Sequence, residues 1–337
     1  LAWQERKAES FTTSPMHTGS FMLGYPDSSR YGDPSGITLG TAVAISGAAV
    51  SPNRGQKTST ALAFLMTLFN VRLGWWLGNP GVQGQRTWTA EGPQPSTQPL
   101  IAEASGDTND RFPYVYLSDG GHFENLGLYE MVLRRRHFIV ISDATCDRNY
   151  AFDDLGNAIR KIRTDLGIPI DIDKMYIYPK GSDKLGKYCA TGKIRYSYVD
   201  MNGKDGMLLY IKPGVYPNVP TDIYNYAKIS DDFPHETTVD QWFSESQFES
   251  YRMLGSHIVD QICYGDGPAD PDDDAALIQA QNWCAKSMEE FFERATDYLK
   301  IKQTIPPPTR MDDAVSLLTG KFLELFDETP VVPRQQA

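Results

Sequence analysis

The alternation of apolar and polar residues is most regular in the centre of the chain. Apolar runs at 114–117 and 137–142 are bounded by polar residues and glycines, which predicts two short buried strands. Apolar residues recur with helical spacing over 124–136 and 152–166, and Gly167 is a stop signal for the second helix. This order of strand, helix, strand, helix and strand predicts a parallel α/β sheet.

The flanking regions predict further helices and one hairpin. Two strand-like runs, 193–199 and 207–211, enclose a turn rich in Asn and Gly, which predicts a β-hairpin. Residues 1–35 and 78–110 are rich in Gly, Pro, Ser and Thr and are predicted to be loops, the first with short strands. Further helices are predicted over 37–50, which we expect to be tightly packed and buried, and over 58–73, 239–262, 274–302 and 311–326.

Composition narrows the function classes. The chain has 337 residues and a formal net charge of −11, and this acidic balance argues against a nucleic-acid partner. The four cysteines, Cys146, Cys189, Cys263 and Cys284, lack zinc-ligand spacing, and their scatter favours reduced thiols over a disulfide framework.

The apolar stretch 61–77 is interrupted by Asn70 and Arg72 and is too short to span a membrane. Trp75 and Trp76 lie at the end of this stretch. They are interpreted either as residues at a lipid–water interface or as buried aromatics that cap a core helix.

The strongest chemical signal is an aspartate directly after the first central strand. Residues 114–127 read YVYLSDGGHFENLG, so Asp119 follows the strand and precedes Gly120 and Gly121. Two glycines allow a sharp turn and a close approach of the backbone to a ligand. Active sites of open α/β sheets form at this edge, where an aspartate serves as a general base. The local pattern alone is equally typical of an ordinary turn.

This segment resembles the patatin-like phospholipase family, which includes the catalytic domain of cytosolic phospholipase A2. Asp119-Gly120-Gly121 matches the turn that carries the family's catalytic aspartate, and Asn125-Leu126-Gly127 is similar to the segment after it. Residues 44–52, AISGAAVSP, resemble a second family block that packs beneath the site. The phrases at 51–53, 70–76, 233–238 and 240–251 are similar to a subgroup of large patatin-like proteins, and the resemblance covers roughly residues 10–260.

The resemblance implies a Ser–Asp dyad with Asp119 as its aspartate and a patatin-like open sheet with flanking helices. It implies that residues 1–262 are the C-terminal part of the catalytic domain and that 263–337 form a helical extension. The implied activity is hydrolysis of lipid esters at a membrane surface on the cytoplasmic side, with no cofactor or metal.

One required element is missing from the chain. The family needs a nucleophilic serine in a Gly-x-Ser-x-Gly elbow, and no serine here has glycine at both positions. In the family the elbow precedes the block at 44–52, so we expect the serine upstream of residue 1, on an N-terminal segment or another chain. Ser46 as a degenerate elbow, against a buried structural hydroxyl, is the alternative within this chain. A non-catalytic lipid-binding or scaffold protein is the alternative function.

Three residues after Asp119 have simpler interpretations. His122 lies too near in sequence for the geometry of a catalytic triad, so we expect a supporting or structural role. Glu124 and Asn125 are expected to cap the helix that follows them.

Overall fold

The computed structural model describes residues 8–49, 73–94, 97, 99, 101, 109–182, 184–237, 242–264 and 287–301. The helix predicted over 311–326 lies outside the described residues, as does all of the helix predicted over 58–73 except Leu73, which is not helical. The chain is mixed α/β.

The structure gives the bounds of eight strands and six α-helices. The strands are β1 Thr12–Thr13, β2 Thr18–Gly19, β3 Trp75–Gly78, β4 Tyr114–Leu117, β5 Phe138–Ser142, β6 Ile170–Ile172, β7 Cys189–Ile194 and β8 Gly206–Ile211. The helices are α1 Leu39–Ser46, α2 Leu128–Leu133, α3 Asp153–Leu166, α4 Thr221–Ile229, α5 Glu245–Tyr264 and α6 Met288–Lys300.

The largest sheet described has four strands in the order β5, β8, β7, β6. Strands β7 and β8 pair antiparallel from Cys189 opposite Ile211 to Ile194 opposite Gly206, so the predicted antiparallel pair is confirmed. The bounds predicted for its first strand, 193–199, are wrong, because that strand runs over Cys189–Ile194. Its connection contains a 3₁₀ turn at Tyr196–Tyr198 and is longer than the Asn-Gly turn alone.

The prediction of a parallel sheet is wrong for most of the described pairs. Only β5 and β8 are parallel, whereas β6 pairs antiparallel with β7. Strand β4 is not in this sheet at all; it pairs antiparallel with β3, with Trp76 opposite Tyr116. The apolar pattern locates each strand, but the partner depends on contacts between distant segments, which the pattern does not contain.

Helices cover both faces of the four-stranded sheet. On β8, Leu208 and Tyr210 join the core formed with α2 and α3, while Leu209 joins the core formed with α4, α5 and α6. This split follows from the alternation of side chains along a strand. A third, smaller core surrounds Tyr31 and Leu77 near β3 and β4.

Helix α3 matches its prediction most closely. Leu155, Ala158 and Ile162 form its buried stripe, and Gly167 ends it with φ +69°, a left-handed conformation that glycine adopts without strain.

Helix α2 is shorter than predicted. A 3₁₀ turn and the left-handed Gly127, also at φ +69°, precede it and delay its start to Leu128.

Helix α1 differs from its prediction in length and burial. It ends at Ser46 because Gly47 caps it, rather than continuing to residue 50. Leu39 is 81% exposed and Val43 63% exposed, and Ile45 is the buried residue within the helix, so the expectation of a tightly packed buried helix is wrong.

The two tryptophans lie on strand β3, not at the end of a helix. Because neighbouring strand residues point to opposite faces, Trp75 is 47% exposed whereas Trp76 is 8% exposed. The Trp76 ring packs against Tyr116, with centroids 5.3 Å apart. Burial is therefore confirmed for Trp76, and a lipid-facing role for Trp75 stays a prediction.

Candidate functional site

Asp119 lies two residues beyond the carboxyl end of β4 and is half-buried. Its backbone N–H donates to the carbonyl oxygen of Ala48, with a distance of 3.3 Å. Its Oδ1 accepts a hydrogen bond of 2.6 Å from the backbone N–H of Gly121 and so caps the 3₁₀ turn Gly120–His122. The two segments that carry the family resemblance, 44–52 and 114–127, therefore meet at Asp119.

The two glycines of this turn have different reasons to be glycine. A Cβ on Gly121 would lie 2.2 Å from Oδ1 of Asn125 and 2.9 Å from Oδ1 of Asp119, closer than real Cβ contacts allow. A Cβ on Gly120 would meet no atom within 4 Å. A side chain at the second glycine would therefore displace Asn125 or Asp119, whereas the space around the first is open.

His122 is joined to the end of the strand. Its Nδ1 lies 3.0 Å from the hydroxyl oxygen of Ser118, so the side chains on both sides of Asp119 are hydrogen-bonded to each other. The local sequence pattern gives no signal for this pair. The bond fixes the 3₁₀ turn to β4, in keeping with a structural role for His122.

Glu124 and Asn125 have different roles. The Glu124 carboxylate accepts hydrogen bonds from the backbone N–H groups of Leu126 and Tyr129, so its predicted capping of α2 is confirmed. Burial raises the pKa of Glu124, and these two hydrogen bonds oppose that rise. The capping prediction for Asn125 is wrong: its Nδ2 donates to Oδ1 of Asp154 in α3, at 2.8 Å.

Helix α3 makes a second contact with the same segment. The Lys161 ammonium donates to the carbonyl oxygen of Phe123 and lies 4.8 Å from the centroid of the Phe123 ring. Asp154 and Lys161 were not predicted as site residues. Local sequence gave no signal for them, because they lie about 30 to 40 positions after the turn they contact.

The geometry of Ser46 does not match a nucleophile elbow. An elbow places the serine between a strand and the start of the following helix. Ser46 is instead the last residue of α1, and it is exposed. The expectation of a buried Ser46 hydroxyl is therefore wrong, although Ala48, two residues later, contacts Asp119.

A second polar cluster lies at the carboxyl ends of the parallel strands β5 and β8. Lys212 follows β8 and is fully buried, with its Nζ 3.1 Å from Oδ2 of Asp143 and 3.5 Å from Oδ2 of Asp147. Burial raises the pKa of Asp143, but hydrogen bonds from Tyr210 and Thr145 and the charge of Lys212 outweigh it, so this pKa is lowered overall. The local sequence pattern gives no signal for this cluster, because its members come from separate segments of the chain.

A shallow cavity of about 340 Å³ lies away from the Asp119 turn. It is lined by Leu23, Pro26, Pro80, Gly81, Val82, Gln85 and Trp88. None of the residues 118–125 lines this cavity, so it does not extend the site.

Within the described residues, no group of three or more His, Cys, Asp and Glu side chains is placed to hold a metal ion. Among the described helices, none combines the length and apolar character needed to cross a bilayer. Comparison of the chain with protein-family models, curated proteins and solved structures finds no match.

Proposed function

We propose that this chain supplies the catalytic aspartate of a patatin-like lipid acyl hydrolase. The observation that carries the proposal is the placement of Asp119. It follows a strand, on a glycine turn that is hydrogen-bonded to Ala48 in the second segment resembling the family. The corresponding finer fold is a patatin-like open sheet, and the helices on both faces of the mixed sheet support it.

The reaction has two halves. A serine from a segment N-terminal to residue 1, or from another chain, attacks the ester carbonyl while Asp119 accepts the hydroxyl proton. The leaving alcohol takes that proton, and an acyl-enzyme remains. Asp119 then accepts a proton from water, and the resulting hydroxide attacks the acyl group. The bond between the acyl group and the serine oxygen breaks, the serine oxygen takes the proton back from Asp119, and the fatty acid is released. Backbone N–H groups upstream of residue 1 stabilise the oxyanion. The substrate is a lipid ester at a membrane surface, on the cytoplasmic side.

The test is Asp119→Asn in a protein that also carries the serine. The amide keeps the size of the side chain and its hydrogen bond from Gly121, but it accepts no proton. We expect hydrolysis of phospholipid vesicles to fall by about 10²–10⁴-fold, the usual contribution of a general base. Asp222→Asn, an exposed site in the first turn of α4, is the matched control. Undiminished hydrolysis by the Asp119 variant refutes the dyad.

One observation favours lipid contact even without catalysis. Leu39 and Val43 of α1 are exposed, and this helix ends two residues before Ala48, which contacts Asp119. Apolar groups exposed beside a site favour contact with an apolar partner. Vesicle binding by the unaltered protein, with no ester hydrolysis in the presence of the serine segment, would favour the non-catalytic lipid-binding alternative.

A further inference from the structure

One face of α3 contacts the segment that follows Asp119 at two points. Asp154 accepts from Asn125, and Lys161 donates to the carbonyl oxygen of Phe123. Asp154 and Lys161 are seven residues apart, about two helical turns, so they lie on the same face of the helix. The face bears Ala158 and Ile162 in the core as well, so its position relative to the sheet is fixed by packing.

Asn125 connects this face to the Asp119 turn. Its Nδ2 is bound to Asp154, and its Oδ1 occupies the space beside Gly121 that a Cβ would need. Gly121 in turn donates its N–H to Oδ1 of Asp119. The direction of the Asp119 carboxylate therefore depends on a continuous series of contacts that begins at the first turn of α3.

The second polar cluster, formed by Lys212, Asp143 and Asp147, holds the residues directly before that first turn. The Asp147 carboxylate accepts hydrogen bonds from the backbone N–H groups of Ala151 and Phe152, at 2.8 and 3.0 Å, directly before α3 begins. Lys212 contacts both Asp147 and Asp143. The start of α3 is thus anchored to the carboxyl ends of β5 and β8, and Asp154 is presented to Asn125 from a fixed position.

We propose that Asn125 is a positioning residue for Asp119, held by Asp154 at the start of α3. The expected effect of Asn125 on catalysis rests on the proposed function. Its expected effect on the geometry of the Asp119 turn does not. The exposed Asn125 side chain adds little to the core, so its substitution is expected to leave the fold intact.

The experiment exchanges the two partners. Asn125→Asp places a second carboxylate beside Asp154 and so breaks the hydrogen bond between the two side chains. The double variant Asn125→Asp with Asp154→Asn restores this hydrogen bond with donor and acceptor exchanged, because the amide introduced on α3 then donates to the new carboxylate at 125. In this chain, amide hydrogen exchange of the peptide 119–125 is expected to accelerate about tenfold in Asn125→Asp, the loss of one charge-assisted hydrogen bond. The double variant is expected to return toward the wild-type rate.

In a protein that carries the serine, Asn125→Asp is expected to lower kcat with little change in KM, and the double variant to recover kcat. Asn202→Asp, an exposed position between β7 and β8, makes the same charge change away from the site and is expected to alter neither measurement. The inference is overturned if amide exchange of the peptide 119–125 in Asn125→Asp is as slow as in the wild type. It is also overturned if the double variant recovers neither slow exchange nor kcat. Hydrolysis that survives Asp119→Asn refutes the proposed function but leaves the exchange measurement as a separate test.

Discussion

Replacing Lys212 with Met tests whether the buried ion cluster is a strong structural anchor. The Lys212 side chain is 0% exposed and the Asp143 side chain 1% exposed, with 3.1 Å between Nζ and Oδ2. At that distance two unit charges attract by about 5 kcal/mol in a medium of effective dielectric constant about 20. Most of this attraction is offset by the loss of hydration of both groups, which is several kcal/mol for each ion.

The single substitution removes the attraction and leaves the cost of burying the carboxylate. We therefore expect Lys212→Met to lower the free energy of unfolding at pH 7 by about 3–5 kcal/mol, as for other broken buried pairs. The double variant Asp143→Asn with Lys212→Met leaves no isolated buried charge at these two positions. We expect it to be more stable than Lys212→Met alone, although Asp147 loses one contact.

Urea unfolding followed by circular dichroism measures these differences, provided that the slope with urea concentration is unchanged. Lys300→Met is the control, because Lys300 and Asp297 form a pair at 3.2 Å with side chains 70% and 62% exposed. That change is expected to cost about 1 kcal/mol or less. If Lys212→Met is as mild as Lys300→Met, or the double variant is less stable than Lys212→Met, the anchor interpretation is wrong.

Two further predictions concern the turn and the pH dependence. Gly121→Ala is expected to displace Asn125 or Asp119 and so to lower ester hydrolysis. Gly120→Ala has open space around the added methyl group and is expected to retain both ester hydrolysis and thermal stability. Equal rates of hydrolysis in the two variants would contradict the packing argument. Burial lowers the pKa of His235, so the unfolded chain binds more protons and stability is expected to fall as the pH drops below about 6.5. Urea unfolding of His235→Gln between about pH 7 and about pH 5.5 should show a weaker dependence than the wild type, and an equal slope would count against it.

Local sequence predicts those elements whose residues interact mainly with their chain neighbours. Helix α3 has a periodic apolar stripe and a glycine stop signal, and both its bounds agree with the prediction to within one residue. The pairing of β7 with β8 is also local, since the two strands follow one another in the chain, but the 3₁₀ turn between them moves the first strand to Cys189–Ile194. Asp119 was likewise selected by its position between a strand and two glycines.

Pairing and burial depend on contacts between distant segments, and there the predictions are weaker. Strand β4 pairs with β3, and the apolar stretch at 61–77 gives no indication of a strand at its end, so the observed sheet that carries β4 differs from the predicted one. Helix α1 is apolar on all sides, and nothing in such a pattern indicates which side is exposed. Asp154 and Lys161 are charged residues on an amphipathic helix, and from sequence they resemble an ordinary solvent-facing surface.

The chain contains two segments with the same local pattern, four apolar residues followed by Ser and Asp, at 114–119 and 138–143. The environments of their aspartates differ. Asp143 is buried, its carboxylate accepts hydrogen bonds from Thr145 and Tyr210, and Nζ of Lys212 lies 3.1 Å from its Oδ2. Asp119 is half-buried, and among the described residues its carboxylate accepts one hydrogen bond, from Gly121. A general base needs acceptor capacity that faces the reacting group, so Asp119 is the suitable candidate and Asp143 is not. The difference comes largely from Lys212 and Tyr210, more than 60 residues after Asp143 in the chain, and only the fold brings them together.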